Sequence, residues 1–477
     1  MEHSPERVSE FCNDALGNHD AVGLTELIRG RKVSSQELVE AAVARAERAN
    51  QRLSAIELKA YVGDQPLLER SNGRGYFAGI PSFIKDNTNI AGWPTRHGSE
   101  AVPGYPAKKD GRFAKQFLAQ GFVLLGKSRL PEFGFNCSTE FERADPVRNP
   151  WNVEHSSGGS SGGAAALVAS GVVPLAHAND GGGSTRIPAS CCGLVGLKPT
   201  RGRLVTHEMA KSLPVKVVCD GVLTRSVRDT AHFMAVAENY WSNRKLPKIG
   251  LVEQPSDRRL RIGLMLQSLS GHSPCDQTAN TVFEVADELA RAGHKISEFQ
   301  NPCKPNFGED FATYWGFLAF MAGRFGKHEF GRQFDGSKLD SFTKGLANIF
   351  ADRWLKMPLG LIRLQRTWKL WVASMRDFDL VLSPVLGHAV PKLGYLKPDV
   401  PIDDLLDRLF RYANYTPLNN ANGSPAISLP AGFSTEGVPI GVQFSANHGD
   451  ERTLLEIAFE YERLRPWKLL FNFGNQS

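Results

Sequence analysis

Residues 156–188 read SSGGSSGGAAALVASGVVPLAHANDGGGSTRIP. Serine stands among glycines twice, in GGSSGG around Ser160 and Ser161 and in GGGST at Ser184. Glycine lacks a Cβ, so backbone amides can close in on a reactive oxygen there. Two questions follow: which serine attacks, and which group takes its proton. The flanks of the triplet, SGVVPLAHA and IPASCCGLVGL, are apolar and predict burial, unlike a flexible glycine-serine linker.

Three familiar motifs compete for this part of the chain. Residues 121–128, GFVLLGKS, fit the phosphate-binding pattern GxxxxGK[ST]. Phe122, Val123, Leu124 and Leu125 fill the interval with a β-prone run where that motif needs a loop, and Pro131 follows where its helix should be under way. Gly159 to Gly163 fit GxSxG, the nucleophile elbow, which needs an apolar strand just before it. The preceding NPWNVEHSS predicts no buried strand, and the late histidines His388 and His448 lie in no strong motif. A metal centre lacks its spacing too: there is no HExxH or CxxC, and His155 and His177 have no partners at ligand intervals.

What remains is Gly181-Gly182-Gly183-Ser184. Successive amides of a glycine triplet can converge on one point as an oxyanion hole, where one donor is worth about 3 kcal/mol of transition-state stabilisation. Ser184 then needs a base. Lys85 follows Phe83 and Ile84 directly, so its stem is expected in the core. A lysine of ordinary pKa, about 10.4, accepts no proton at neutral pH, but burial can lower that by about 3–5 units. The tripeptide alone leaves a second role open, an ion pair of Lys85 with Asp86 or another acid.

The whole chain sets the class. Its 477 residues, 42% hydrophobic and 22% charged, describe a globular protein with a large core. A net charge of +6 without a Lys/Arg-rich block gives no ground for nucleic-acid binding. The longest apolar run, AAALVASGVVPLAHA, is broken by Gly171 and Pro174 and falls short of the roughly 20 residues a membrane span needs. MEHSPERVSEFCND does not read as a signal peptide. Seven cysteines without CxxC spacing, with Cys191 and Cys192 adjacent, suit buried thiols and a cytoplasmic setting.

Periodicity divides the rest into alternating helices and strands. Residues 21–50 are helical, with Ser34, Ser35 and Glu37 as a capped start. Strands are expected within 76–86, 121–128, 259–266, 378–385, 425–432 and 437–446, the last two paired. Helices are expected over 110–120, 226–241, 275–293 and 450–464. Residues 305–375 are aromatic-rich and helical by pattern, a helical insertion over the core. Phe311, Tyr314, Trp315, Phe317 and Phe320 would either line an apolar pocket or pack as ordinary core. The class is α/β.

Residues 158–203 resemble the signature of the amidase signature family. The resemblance extends through AGIPSFIKDN (78–87), LLGKSRLPEFGF (124–135), RNPWN (148–152), NNANGSPAISLPAGF (419–433) and GVPIGVQF, in that order. It implies one large domain over 1–477, with a signature core at about 75–205, a central mixed β-sheet covered by helices on both faces, and the 305–375 insertion on the substrate side. It implies a Ser–cis-Ser–Lys triad: Ser184 as nucleophile, Ser160 after a cis peptide bond as the relay, and Lys85 as the base. The oxyanion hole maps to Gly181, Gly182 and Gly183, the supporting positions to Ser161, Asp180 and Arg186, and pocket positions to Phe135 and Asn136.

The implied activity is hydrolysis of C–N bonds in small amides through an acyl-enzyme, with no metal, cofactor, nucleic acid or membrane, by a monomer or homodimer. Many members carry Gly-Thr-Asp where this chain has AHAND (176–180), and residues 58–77 are short for the family. AHANDGGGS and ASCCGLVGLKP look most like the branch of 6-aminohexanoate cyclic dimer (nylon oligomer) hydrolases. The alternative within the family is the glutamine-hydrolysing component of an aminoacyl-tRNA amidotransferase complex, which would need partner subunits, ATP and tRNA. A binding module on an inactive scaffold is disfavoured, since Lys85, Ser160 and Ser184 are all present.

Overall fold

The structure, a computed structural model, describes residues 5–62, 67–70, 73–211 and 213–473. Its strands in chain order are β1 (Ile56–Lys59), β2 (Pro81–Lys85), β3 (Val123–Ser128), β4 (Arg148–Asn149), β5 (Asn152–Ser156), β6 (Leu175–Asp180), β7 (Val195–Lys198), β8 (Cys219–Thr224), β9 (Arg261–Leu264), β10 (Lys295–Glu298), β11 (Leu380–Pro384), β12 (Ala426–Phe433) and β13 (Pro439–Ala446). Eight of them form a mixed sheet in the order β10-β9-β11-β13-β12-β7-β8-β6. Only β10, β9 and β11 run parallel, and every other neighbour is antiparallel. Helices cover both faces, so β6, β7, β8, β11 and β13 are buried along their whole length, as strands between two helical layers must be.

A second sheet, β1-β3-β2, stands beside the β6 edge of the first. No backbone ladder joins β2 to β6. Side chains cross the seam instead: Ser82 Oγ donates to the Leu175 carbonyl at 2.9 Å, and the Lys85 N–H donates to His177 Nδ1 at 3.2 Å. Lys127 and Ser128, the end of the GK[ST] pattern, lie buried within β3, so that segment is a strand and not a phosphate loop.

Most predicted elements fall where periodicity places them. The run 21–50 divides into helices Ala21–Arg29 and Ser35–Leu53, broken at Gly30, with the Ser34–Glu37 capping box closing the second. Residues 305–375 hold three helices, Phe307–Glu329, Ser341–Arg353 and Met357–Ser374. This segment is tied to the signature core where the Asp340 N–H donates to Glu132 Oε2 at 2.9 Å.

One expectation fails. NPWNVEHSS does contain a largely buried strand, β5, paired with β4 in a two-stranded sheet of its own. Buried polar groups of this hairpin find partners: Asn149 Nδ2 reaches the Ser156 and Cys191 carbonyls at 2.9 and 2.8 Å, and Ser156 Oγ meets Ser138 Oγ at 2.7 Å. The elbow reading still fails, because β5 lies outside the main sheet.

Trp151 anchors this hairpin. Its indole N–H donates to the Cys192 carbonyl at 2.8 Å, and its ring meets the edges of Phe433 and Phe473 at 5.0 and 5.5 Å. Trp151→Ala is expected to cost about 3–5 kcal/mol, as for other large-to-small core changes. Calorimetry should show a clear fall in Tm, and an unchanged Tm would contradict this anchoring.

Candidate active site

Lys85 ends β2 with its side chain fully buried in the seam with β6. Its Nζ lies 2.8 Å from Ser160 Oγ, 2.9 Å from Ser161 Oγ and 2.8 Å from Asn179 Oδ1. The peptide bond between Gly159 and Ser160 is cis. Ser161 then precedes the wholly buried helix Gly162–Ala169, whose small residues let the backbone approach closely: a Cβ on Gly163 would fall 2.6 Å from the Ala55 carbonyl, just before β1, and from Arg129 N, just after β3.

Among the described residues no carboxylate bonds this amine. The neighbouring Asp86 pairs with Lys127 across β2 and β3 at 3.2 Å, and Lys127 also donates to the Pro94 carbonyl and Thr95 Oγ1, both at 2.6 Å. The ion pair that the sequence leaves open for Lys85 therefore goes to another lysine. Burial drives the Lys85 pKa down to about 7, while the more distant charges of Asp180 and Asp220 pull it back up in part.

Asp180 ends β6 and organises the glycine turn. Its carboxylate accepts from the amides of Gly183 at 2.7 Å and Thr185 at 3.2 Å. Arg186 grips it side-on, with Nε and a terminal nitrogen each at 2.9 Å, and Asn420 Nδ2 adds a bond at 2.9 Å. Burial works to raise the Asp180 pKa, but the charge and hydrogen bonds of Arg186 outweigh it and hold the group well below the ordinary carboxylate range. Arg186 is itself held by Gln443 Oε1 and Asn420 Oδ1, both at 2.7 Å.

Gly183 corrects one expectation. Its amide, assigned by resemblance to the oxyanion hole, is spent on Asp180 Oδ1. Only glycine fits there, since φ is +134° and a Cβ would lie 2.3 Å from Thr416 Oγ1. Gly181, Gly182 and Ser184 do face the cavity. Thr416 Oγ1 fixes the turn from the far side by donating to the Gly182 carbonyl at 2.6 Å.

The cavity above this floor measures about 480 Å³ and also admits Ser160 and Asn179. Phe135 and Asn136 are in its lining, and the Asn136 carboxamide is engaged by the Leu396 carbonyl at 2.7 Å and the Ser138 amide at 3.2 Å. Helix Phe307–Glu329 forms much of the wall, with Phe311, Tyr314, Trp315, Phe317, Leu318 and Met321 at helical intervals. Phe320 is not in that wall and packs on Phe350 at 5.2 Å. His388 and His448 lie outside the lining, with the His388 ring tilted against Tyr412 at 4.9 Å. His155 pairs with Glu436 and His177 with Asp220, and among the described residues no group of three metal-ligating side chains converges. Residues 63–66 and 71–72 of the short 58–77 segment lie outside the described residues.

Motif and periodicity did not single out Asn179, Asn87, His97 and His207, which all line the cavity. Asn179 and His177 share one face of β6 by strand alternation, and both meet Lys85. That alternation was the available signal.

The amidase family model matches residues 37–455. The chain belongs to the amidase signature family. Among its relatives is the putative amidase AmiC of Mycobacterium leprae (strain TN), 45% identical over 97% of this chain and 98% of AmiC. The 6-aminohexanoate-cyclic-dimer hydrolase of Pseudomonas sp. (strain NK87) is 31% identical over 94% of this chain and 95% of its own length. A solved structure of 6-aminohexanoate cyclic dimer hydrolase superposes with a TM-score of 0.85 at 29% identity, covering 96% of this amidase chain and 98% of the other. Among the described residues no helix is long and apolar enough to cross a membrane.

Arg186→Met is the test of the buried pair in this amidase. Removing one partner leaves Asp180 charged and uncompensated, which costs about 3–5 kcal/mol. The variant should melt at clearly lower temperature, and wild-type stability would refute this assignment of the pair.

Proposed function

We propose that this amidase hydrolyses the C–N bond of small or oligomeric amides, linear or cyclic, through an acyl group on Ser184, with Ser160 and Lys85 as the proton relay. Carbamates, anilides and esters fit the same route, because acyl transfer tolerates varied leaving groups. One observation carries the reading: an amine with a pKa of about 7 bonds Ser160 at 2.8 Å, on the floor of the cavity that also holds Ser184.

Neutral Lys85 takes the Ser160 proton as Ser160 takes that of Ser184. Ser184 Oγ attacks the carbonyl carbon, and the amides of Gly181 and Gly182 receive the oxyanion, with Gly183 and Asp180 holding the turn in shape. The relay returns the proton to the departing nitrogen, the C–N bond breaks and an ester to Ser184 remains. Water, deprotonated by the same relay, attacks that ester and releases the acid.

The apolar wall supports an uncharged, extended or aromatic acyl or amine group. It is a poor match for the polar side chain of glutamine, so the amidotransferase alternative is the weaker one.

Ser184→Ala and Lys85→Ala are each expected to lower kcat by about 10⁴-fold or more, the scale seen when a nucleophile or base is lost from a serine triad. Because the base acts when neutral, kcat/KM should rise with pH through about 7 and then level off. A limb near the free-lysine value would remove Lys85 from the role. Across p-nitroanilides of straight-chain acids, kcat/KM should climb about fourfold per added methylene, the equivalent of about 0.8 kcal/mol, until the cavity fills. A flat or falling series would exclude the apolar acyl site.

A further inference from the structure

A neutral amine has two N–H bonds and one lone pair, and three oxygens surround Lys85 Nζ. The identity of each oxygen decides where the lone pair goes. Asn179 Oδ1 is a carboxamide oxygen and only accepts. Ser161 Oγ sends its own hydrogen to the Asn179 carbonyl at 3.3 Å, so toward the lysine it accepts too. Both N–H bonds are thereby used, and the lone pair is left for the hydroxyl hydrogen of Ser160.

We propose that Asn179 is a positioning residue that aims the Lys85 lone pair at Ser160. The inference rests on the Ser184 relay proposed above. Asn179 is held for this task from its far side: its Nδ2 donates to Asn87 Oδ1 at 3.1 Å, and the Asn87 amide returns a bond at 3.4 Å. Residue 179 is thus an acceptor without charge. An aspartate would accept equally well, but its charge would lock the amine as an ammonium.

The other groups around Lys85 are accounted for. Asp180 is neutralised by Arg186. Asp220 bonds His177 Nε2 at 3.2 Å, and burial lowers the His177 pKa, so that ring is neutral and accepts the Lys85 backbone N–H at Nδ1. Asp86, next in the chain, belongs to Lys127 of the flanking strand β3.

The natural substrate is not needed for the test. A fluorophosphonate labels an activated serine directly: Ser184 Oγ bonds phosphorus, fluoride leaves, and the hydroxyl proton passes to the relay. Labelling rates are read by intact-protein mass spectrometry from pH 5 to 10, for wild type, Asn179→Asp, Asn179→Ala and Ser184→Ala, each with its Tm. Wild type should show a limb near pH 7. Asn179→Asp should move that limb up by at least one pH unit, a tenfold or greater loss at pH 6 that recovers at high pH. Asn179→Ala should lose tenfold or more on the plateau with no upward move of the limb. If Asn179→Asp does not fold, Asn179→Ala decides alone. Wild-type profiles in the folded variants would overturn the positioning role while leaving the relay intact. Labelling of Ser184→Ala at the wild-type rate would instead overturn the Ser184 reading itself.

Discussion

Lys85 sits in a dry seam with three acids nearby, and none of them closes an ion pair with it. Each acid is committed elsewhere: Asp86 to Lys127, Asp180 to Arg186 and Asp220 to His177. A buried amine left to hydroxyls and a carboxamide loses its proton easily, because nothing close offsets the loss of water around the charge. Burial leaves this amine weakly basic, and the surrounding pairs keep the nearby acids from closing on it. Removing Arg186 or Lys127 would therefore act on Lys85 as well as on the local packing, since a freed carboxylate would stand within the same seam.

The fold around that seam follows from the same constraint. Lys85 comes from the smaller sheet and the glycine turn from the edge of the larger one, and only side chains join them. The turn is clamped from distant parts of the chain, by Thr416 on Gly182 and by Asn420 and Gln443 on the Asp180–Arg186 pair. Residues 416–443 thus act on the same few atoms as residues 180–186.

Much of this was legible in the sequence. The capping box at Ser34, the apolar run into Lys85, the amphipathic helix Asp276–Arg291 and the paired strands β12 and β13 all obey simple periodicity. Failures occur where polar residues are buried with partners that only the folded chain supplies. NVEHS makes a strand because Asn149 and Ser138 satisfy it, and LAHAND, missing from the strands that periodicity places, is a buried strand in which His177, Asn179 and Asp180 find Lys85, Asp220 and Arg186. The commitment of the Gly183 amide to Asp180 was equally invisible, since a run of identical glycines carries no sign of which N–H is already taken.

The depth of Lys85 has one more consequence, for the timing of proton exchange. Its side chain has no surface in contact with solvent, and its polar neighbours are Ser160, Ser161 and Asn179. An apolar ligand filling the cavity would cover Ser160 and Asn179, the neighbours of the amine that face it. In the proposed relay, a proton received there is insulated from buffer and stays at hand until the leaving nitrogen collects it. Acylation of this kind would be indifferent to buffer concentration, because its proton starts on Ser184 and ends on the leaving nitrogen.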